Sequence, residues 1–171
     1  MLLTSVDGTL VDLRISGYQF PRCAATCKND WDANWLTVHG EVTQADGKSW
    51  TFEDPCLTTW EARALGNWLR EAAAGTVPVS PFGTGEPEGR LLFFTEPNLA
   101  FSVESRTSDQ VRVRVHFSLE ALPPWLHGDQ RPDIFGYVVH IRLSVAKLAD
   151  AADSWVRGLA QYPERQVSPE P

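Results

Sequence analysis

No stretch of the 171 residues approaches the ~18 consecutive apolar positions that a membrane-spanning helix requires. The first residues, Met1-Leu2-Leu3-Thr4-Ser5-Val6-Asp7-Gly8, carry no positive charge and too short an apolar run for a secretory signal. Cysteine is scarce: Cys23, Cys27 and Cys56 are an odd number without a dense framework, which excludes a disulfide scaffold and fits a reducing cytoplasm. Positive charge is in deficit, with 15 Lys and Arg against 22 Asp and Glu and a net charge of −7. A surface built to neutralise nucleic-acid phosphates is therefore not expected. The deficit is uneven, four basic against eight acidic residues in 1–56 and eleven against fourteen in 57–171, so the front third suits a basic partner. Catalytic signatures are missing as well. There is no nucleophile elbow, P-loop, H-E-x-x-H or dinucleotide fingerprint, and Gly83-x-Gly85 sits in a Pro-rich loop rather than between a strand and a helix.

What is present describes one folded unit. A chain of this length matches a single domain and can bury roughly 70% of its unfolded surface without a metal or disulfide staple. The expected extent is a single α+β domain over residues 1–162, followed by a disordered tail, 163–171, that holds three prolines. Asp7-Gly8 separates two strands, 1–6 and 9–16, as a two-residue hairpin turn, and Val11, Leu13 and Ile15 alternate with Asp12 and Arg14. Residues 20–33 read as a loop. Trp35 to Thr43 and Ser49 to Glu53 form the next pair, turned at Ala45-Asp46-Gly47-Lys48.

A helix over 58–74 has the clearest boundaries. Thr58 and Glu61 make a capping box, Ala62, Leu65, Trp68, Leu69 and Ala72 form an apolar stripe, and Gly75 stands just past the end. Four Gly and three Pro in 75–89 make a loop. Three strands follow, Arg90 to Thr95, Leu99 to Glu104 and Gln110 to Leu119. In the third, Val111, Val113, Val115, Phe117 and Leu119 point inward and Arg112, Arg114, His116 and Ser118 outward. Their short connections require antiparallel pairing. After a loop over 121–134, Tyr137, Val139, Ile141 and Leu143 mark a strand. Leu148, Ala152, Trp155 and Leu159 mark a closing helix over 145–160. The fold class is α+β: an antiparallel sheet or two-layer sandwich of roughly seven to nine strands with two helices.

Two metal sets can be drawn on paper. Asp30-x-Asp32-x-Asn34 with Glu41 follows a calcium-loop count, but Trp35 occupies the position that needs glycine and a strand follows instead of a helix. Cys23-x-x-x-Cys27 with Cys56 and His39 lacks the second close pair of a structural zinc site. Neither is a complete coordination set, so no metal and no cofactor is expected. The histidines His39, His116, His127 and His140 are scattered, and no catalytic residue is assigned. Trp60, Trp68 and Trp155 ride helices, where core packing is their ordinary role. Trp31, Trp35 and Trp125 lie in or beside loops, where an indole can anchor a partner.

Gly17-Tyr18-Gln19-Phe20-Pro21, Asp30-Trp31-Asp32-Ala33-Asn34-Trp35-Leu36, Ser49-Trp50-Thr51-Phe52, Leu57-Thr58-Thr59-Trp60-Glu61 with Trp68-Leu69, and Glu96-Pro97-Asn98-Leu99-Ala100-Phe101 together resemble the WapI-type immunity proteins. The resemblance spans most of 9–160 and is concentrated before residue 102. It implies a small cytoplasmic protein that binds and neutralises a toxin delivered between competing bacteria, with a protein partner and no catalytic residues. Many such toxins attack nucleic acid and have basic clefts, to which an acidic inhibitor is steered. The residues expected at the partner surface are Asp30, Trp31, Asp32, Glu53 and Asp54. Two other readings stand beside it. A carbohydrate-binding sandwich requires Trp31, Trp35 and Trp125 on one concave surface. An enzyme of unrecognised type requires histidines and carboxylates converging in a deep pocket.

Overall fold

The computed structural model describes residues 1–22, 30–80, 91–128 and 131–166. Among them, eight strands form two antiparallel four-stranded sheets. The first holds β1 (Leu2–Thr4), β2 (Leu10–Tyr18), β3 (Trp35–Thr43) and β4 (Ser49–Thr58) in chain order. The second holds β5 (Leu92–Phe93), β6 (Leu99–Arg106), β7 (Gln110–Phe117) and β8 (Tyr137–Ser144), also in chain order. Consecutive strands therefore pair with their neighbours, as short connections dictate. The turns at Gly8 and Gly47 have φ of 90° and 86°, the left-handed backbone that a side chain resists. The sheets approach each other where Val6 N–H donates to the Arg142 carbonyl at 2.9 Å and Arg142 N–H donates to Ser5 Oγ at 3.1 Å.

β4 runs five residues beyond the expected Glu53. Its pairing with β3 continues across Pro55 because the register slips between Leu36 and Thr37, a bulge that absorbs the extra residue. β4 is an edge strand, where the missing proline N–H leaves no neighbouring strand unsatisfied. β5, by contrast, is only two residues long.

Helix α2 (Thr59–Ala74) starts and stops as the sequence dictates. Thr58 Oγ1 accepts from Glu61 N–H, Glu61 Oε2 accepts from Thr58 N–H, and Gly75 takes φ 82° at the far end. Arg106 from β6 closes that end, donating to the Ala72 carbonyl and, at 2.6 Å, to the Ala73 carbonyl. A cation at carbonyls left over by the last turn also opposes the helix dipole. Helix α3 (Val145–Leu159) lies against α2. Trp155 Nε1 donates to the Ala62 carbonyl at 2.7 Å, and a Cβ on Gly66 would stand 2.9 Å from Val156 Cγ2, so glycine sets how closely the helices approach. Leu13, Leu36, Leu57, Leu65, Leu69, Val113, Ile141 and Leu148 are fully buried in one cluster that joins both sheets and both helices.

Several local expectations need correction. Residues 30–34, read as loop and strand start, form a five-residue helix α1 (Asp30–Asn34). Leu119 is not the inward end of β7. The strand stops at Phe117, and Leu119 opens a 3-10 turn (Leu119–Ala121) with φ 54°. A second 3-10 turn, Pro124–Leu126, follows. Arg114 and Ser118, expected to face solvent, are 6% and 2% exposed. Ser80 lies over Arg114, whose Nη2 donates to the Ser80 carbonyl at 2.6 Å, and Phe135 N–H donates to Ser118 Oγ at 2.7 Å.

The C-terminal segment also has an anchor. Tyr18 Oη donates to the Pro163 carbonyl, the Arg165 guanidinium lies 3.3 Å from the centre of the Tyr18 ring, and Arg165 Nη1 donates to the Phe20 carbonyl at 2.9 Å. Residues 163–166 are therefore strapped across the end of β2. Residues 167–171 fall outside the described residues, as do 81–89 of the expected 75–89 loop, Arg90 of the expected strand, and residues 23–29 with Cys23 and Cys27.

Candidate partner-binding surface

Alternation along β3 divides its residues between two faces. Leu36, Val38 and Val42 enter the core, while Trp35, Thr37, His39 and Glu41 line the outer face of the first sheet. The β2 register places Asp12 beside Glu41 and Arg14 beside His39, and the β4 register places Glu53 beside His39 and Thr51 beside Glu41. Arg14 Nη2 reaches Glu41 Oε1 at 2.5 Å, and His39 Nε2 lies 3.2 Å from the same oxygen. This is a polar, solvent-facing sheet surface.

One end of that face is aromatic. Trp31, on α1, meets Trp60, on α2, edge to face with ring centres 4.8 Å apart at 89°, and meets Trp35 at 6.4 Å. Trp31 remains 48% exposed, whereas Trp35 and Trp60 are half-buried. A helix of five residues is too short to hold itself, so its position depends on what grips it. Asn34, at its last turn and completely buried, supplies that grip. Its Nδ2 donates to the Arg165 carbonyl at 2.7 Å, and its Oδ1 accepts from Arg165 N–H at 2.8 Å and from Thr59 Oγ1 at 3.1 Å. One side chain thus ties α1 to α2 and to the C-terminal strap.

The five residues expected at a partner surface do not all meet. Asp30 opens α1 and Trp31 and Asp32 follow it there, while Glu53 is exposed on the outer face of the same sheet. Asp54 is on the other side of β4. It is half-buried and accepts from Asn98 Nδ2 at 3.1 Å, and burial together with the nearby Glu120 carboxylate raises its pKa. Trp60, read as a core helix residue, belongs to the aromatic end. It lies two residues past the end of β4, and the pairing that carries it there has no mark in the local sequence.

Trp125 stands elsewhere. It is 44% exposed and packs on Trp50 at 5.8 Å, and Trp50 lies eight residues from Thr58, so the two aromatic sites are separated by roughly 25 Å of strand. Trp31, Trp35 and Trp125 do not line one concave surface.

The outer face of the second sheet carries most of the histidine chemistry. Glu104 receives His140 Nδ1 at 2.7 Å and Arg112 Nη1 at 3.4 Å, and Arg114 Nε is 3.9 Å away. Ser102 Oγ lies 3.1 Å from His116 Nε2, whose Nδ1 is 3.0 Å from the Phe135 carbonyl. Burial lowers the pKa of His116 and favours the neutral ring. This pair has the partners of a serine–histidine dyad, but Ser102 is only 3% exposed, so its hydroxyl has no approach from solvent. The adjoining cavity, about 590 Å³, is a broad open trough lined by Asp7, Gln44, Asp46, Glu104, Arg112 and His140 rather than a deep cleft. Its Glu104 carboxylate is already engaged. Cys56 is buried, and burial pushes its thiol pKa up, away from the thiolate needed for nucleophilic or metal chemistry. Among the described residues no three His, Cys, Asp or Glu side chains gather in a metal-holding group.

The chain is thus an antiparallel α+β protein with an aromatic end on a charged sheet face. A family model, that of the immunity protein WapI-like family, matches residues 1–163. The chain belongs to this family, which covers both sheets, all three helices and the first residue of the C-terminal strap. An immunity-protein-like role, a protein partner and a generally non-enzymatic character follow from that membership. No curated protein matched the chain. No helix among the described residues is long and apolar enough to cross a membrane.

Proposed function

We propose that this chain is a cytoplasmic, non-catalytic binding protein that neutralises a bacterial toxin by covering the surface the toxin needs. The observation that carries the reading is the half-exposed Trp31, held by Trp60 and Trp35 at the end of an acidic sheet face in a chain of the immunity family. An indole that is rigid and partly exposed loses little freedom when it is buried in a partner, which is the property of an interface anchor. Trp31 is the anchor, and Asp30, Asp32 and Glu53 form the rim that draws in a basic partner. Asp54 faces the other side of β4 and is left out of the interface. No cofactor or metal takes part.

The test is protection. Cells expressing the toxin encoded beside this chain should survive when the chain is co-expressed, and the two proteins should co-purify. Survival without any complex would contradict occlusion and point to enzymatic removal of the toxin's product. The sandwich alternative loses its main support because Trp125 lies far from Trp31 and Trp35.

A further inference from the structure

We infer that the trough beside β8 is a strand-addition site, in which an extended segment of the protein partner lies along Val138–His140 and pairs with its backbone. The site goes beyond the Trp31 surface, which lies at the other end of β3, and stands without it. Two open sheets have four edges, and three of these are blunted. β1 has three residues and β5 has two, while β4 carries Pro55, which has no N–H to offer. β8 is different. It has eight residues, contains neither proline nor lysine, and pairs with β7 without a register shift.

Alternation fixes which of its backbone groups are open. Arg142 turns its N–H and C=O away from β7, because the N–H donates to Ser5 Oγ at 3.1 Å and the C=O accepts from Val6 N–H at 2.9 Å. His140 and Val138, two and four residues earlier, point the same way. Among the described residues neither has a main-chain partner on that side. The chain leaving β1 thus meets β8 at Arg142 and departs into the Gly8 turn, so two donors and two acceptors beyond it stay open. They face the trough of about 590 Å³, lined by Val138 and His140 on one side and by Asp7, Thr9, Gln44 and Asp46 on the other. Tyr137 Oη donates to Gln44 Oε1 at 3.2 Å and bridges it at the Tyr137 end. Between Tyr137 and Arg142 there is length for roughly three to five extended residues. Trp125 does not line it.

Open N–H and C=O groups repeating every second residue match another backbone in the extended conformation. A helix offers none, since its own groups are bonded internally. A second copy fits poorly. Its β8 carries β7 on the far side, and here the far side is taken by the turns at Asp7–Thr9 and Gln44–Asp46. Residues 167–171 do not reach the trough either, because the strap that precedes them crosses β2 at Tyr18, about 27 Å along the strand from Leu10.

The test is amide hydrogen exchange, followed by NMR, on the full chain alone and in complex with the toxin encoded beside it. In the free chain the Val138 and His140 amides should exchange rapidly, while those of Val139 and Ile141, bonded to β7, are protected. In the complex, exchange at Val138 and His140 should slow about tenfold or more. Val138→Pro removes one open donor without touching the β7 ladder and should speed dissociation about tenfold, whereas Val138→Ala, which keeps the N–H, should change it less than about twofold. The exchange measurement uses the wild-type chain, so it decides the matter even where Val138→Pro does not fold. Exchange at the two amides that is equally fast in the complex would overturn the inference. Protection already present in the free chain would overturn it too, and protection that grows with concentration would make the occupant a second copy. Slowed exchange here with wild-type rates for Trp31→Ala keeps this site and removes the Trp31 anchor; unchanged exchange with faster dissociation of Trp31→Ala does the reverse. No complex at all would overturn both.

Discussion

Asn34→Ala should be among the most damaging single substitutions outside the apolar core. The residue is completely buried, and its hydrogen bonds include two with the backbone of Arg165 and one from Thr59 Oγ1. At about 1 kcal/mol each, their loss costs about 3 kcal/mol, with the stranded Thr59 hydroxyl keeping the estimate from falling much lower. Two of the three depend on the C-terminal strap. In a chain ending at Tyr162 those two bonds are already gone, and Asn34→Ala should then cost about 2 kcal/mol less. The coupling between the substitution and the truncation is therefore about 2 kcal/mol. With a urea slope of about 2 kcal/mol per molar, Asn34→Ala lowers the midpoint by about 1 M more in the full chain than in the truncated one. The assay is urea unfolding followed by tryptophan fluorescence for all four proteins. Equal midpoint changes in both backgrounds would refute the reasoning, because they would mean that residues 163–165 do not engage Asn34 in solution.

Thr58→Ala removes the side-chain half of the capping box and should cost about 1 kcal/mol, while Leu69→Ala, at a fully buried position, should cost about 2–5 kcal/mol. Denaturant midpoints check both, and an unchanged midpoint for Leu69→Ala would misplace the apolar face of α2. Asp54→Asn keeps the acceptor for Asn98 but removes a charge that burial and Glu120 disfavour; because the folded pKa is raised, the gain in thermal midpoint should appear at neutral pH and vanish once acidification protonates Asp54 in the wild type. His116 has the complementary sign. Its folded pKa is lowered, so the neutral ring's contribution is complete above about pH 6.5 and is lost as pH falls through the folded value, with Arg114 and His140 both opposing its protonation. Replacing it by Asn should flatten the fall in urea midpoint between neutral and mildly acidic pH, and an unaltered slope would contradict the assignment.

The elements most legible in the sequence were those with local causes. Thr58, Glu61 and Gly75 specify the two ends of α2 within a few residues of where they act, and Asp7-Gly8 and Asp46-Gly47 set their turns by the glycine backbone and by aspartate side chains that accept from Thr9 and Lys48 N–H. Alternation in β7 located its buried face from Val111 to Phe117. What escaped notice depends on residues distant in the chain. Arg114 reads as a solvent-facing charge until Ser80, 34 positions earlier, covers it. The strap at 163–165 is polar and Pro-rich, so nothing in its own composition announces an anchor; its partners are Tyr18, Phe20 and Asn34. At the candidate surface, Trp31 stood out as an indole between two aspartates. The company of Trp60 and the departure of Asp54 to the other side of β4 follow from the β3–β4 pairing and its bulge, which no periodicity count supplies.

The central claim is that partner recognition runs through Trp31 and the acidic face beside it. The most direct measurement is surface plasmon resonance with the toxin encoded beside this chain, at two salt concentrations, comparing wild type with Trp31→Ala, Asp30→Lys combined with Asp32→Lys, and Trp125→Ala. The account predicts that Trp31→Ala speeds dissociation about tenfold or more, as loss of a buried anchor should. The lysine pair should slow association and flatten its salt dependence, and Trp125→Ala should leave both rates unchanged. Wild-type rates for the Trp31 and lysine variants, with their folding intact, would contradict the account, and a loss of binding confined to Trp125→Ala would move the interface to the opposite end of β4.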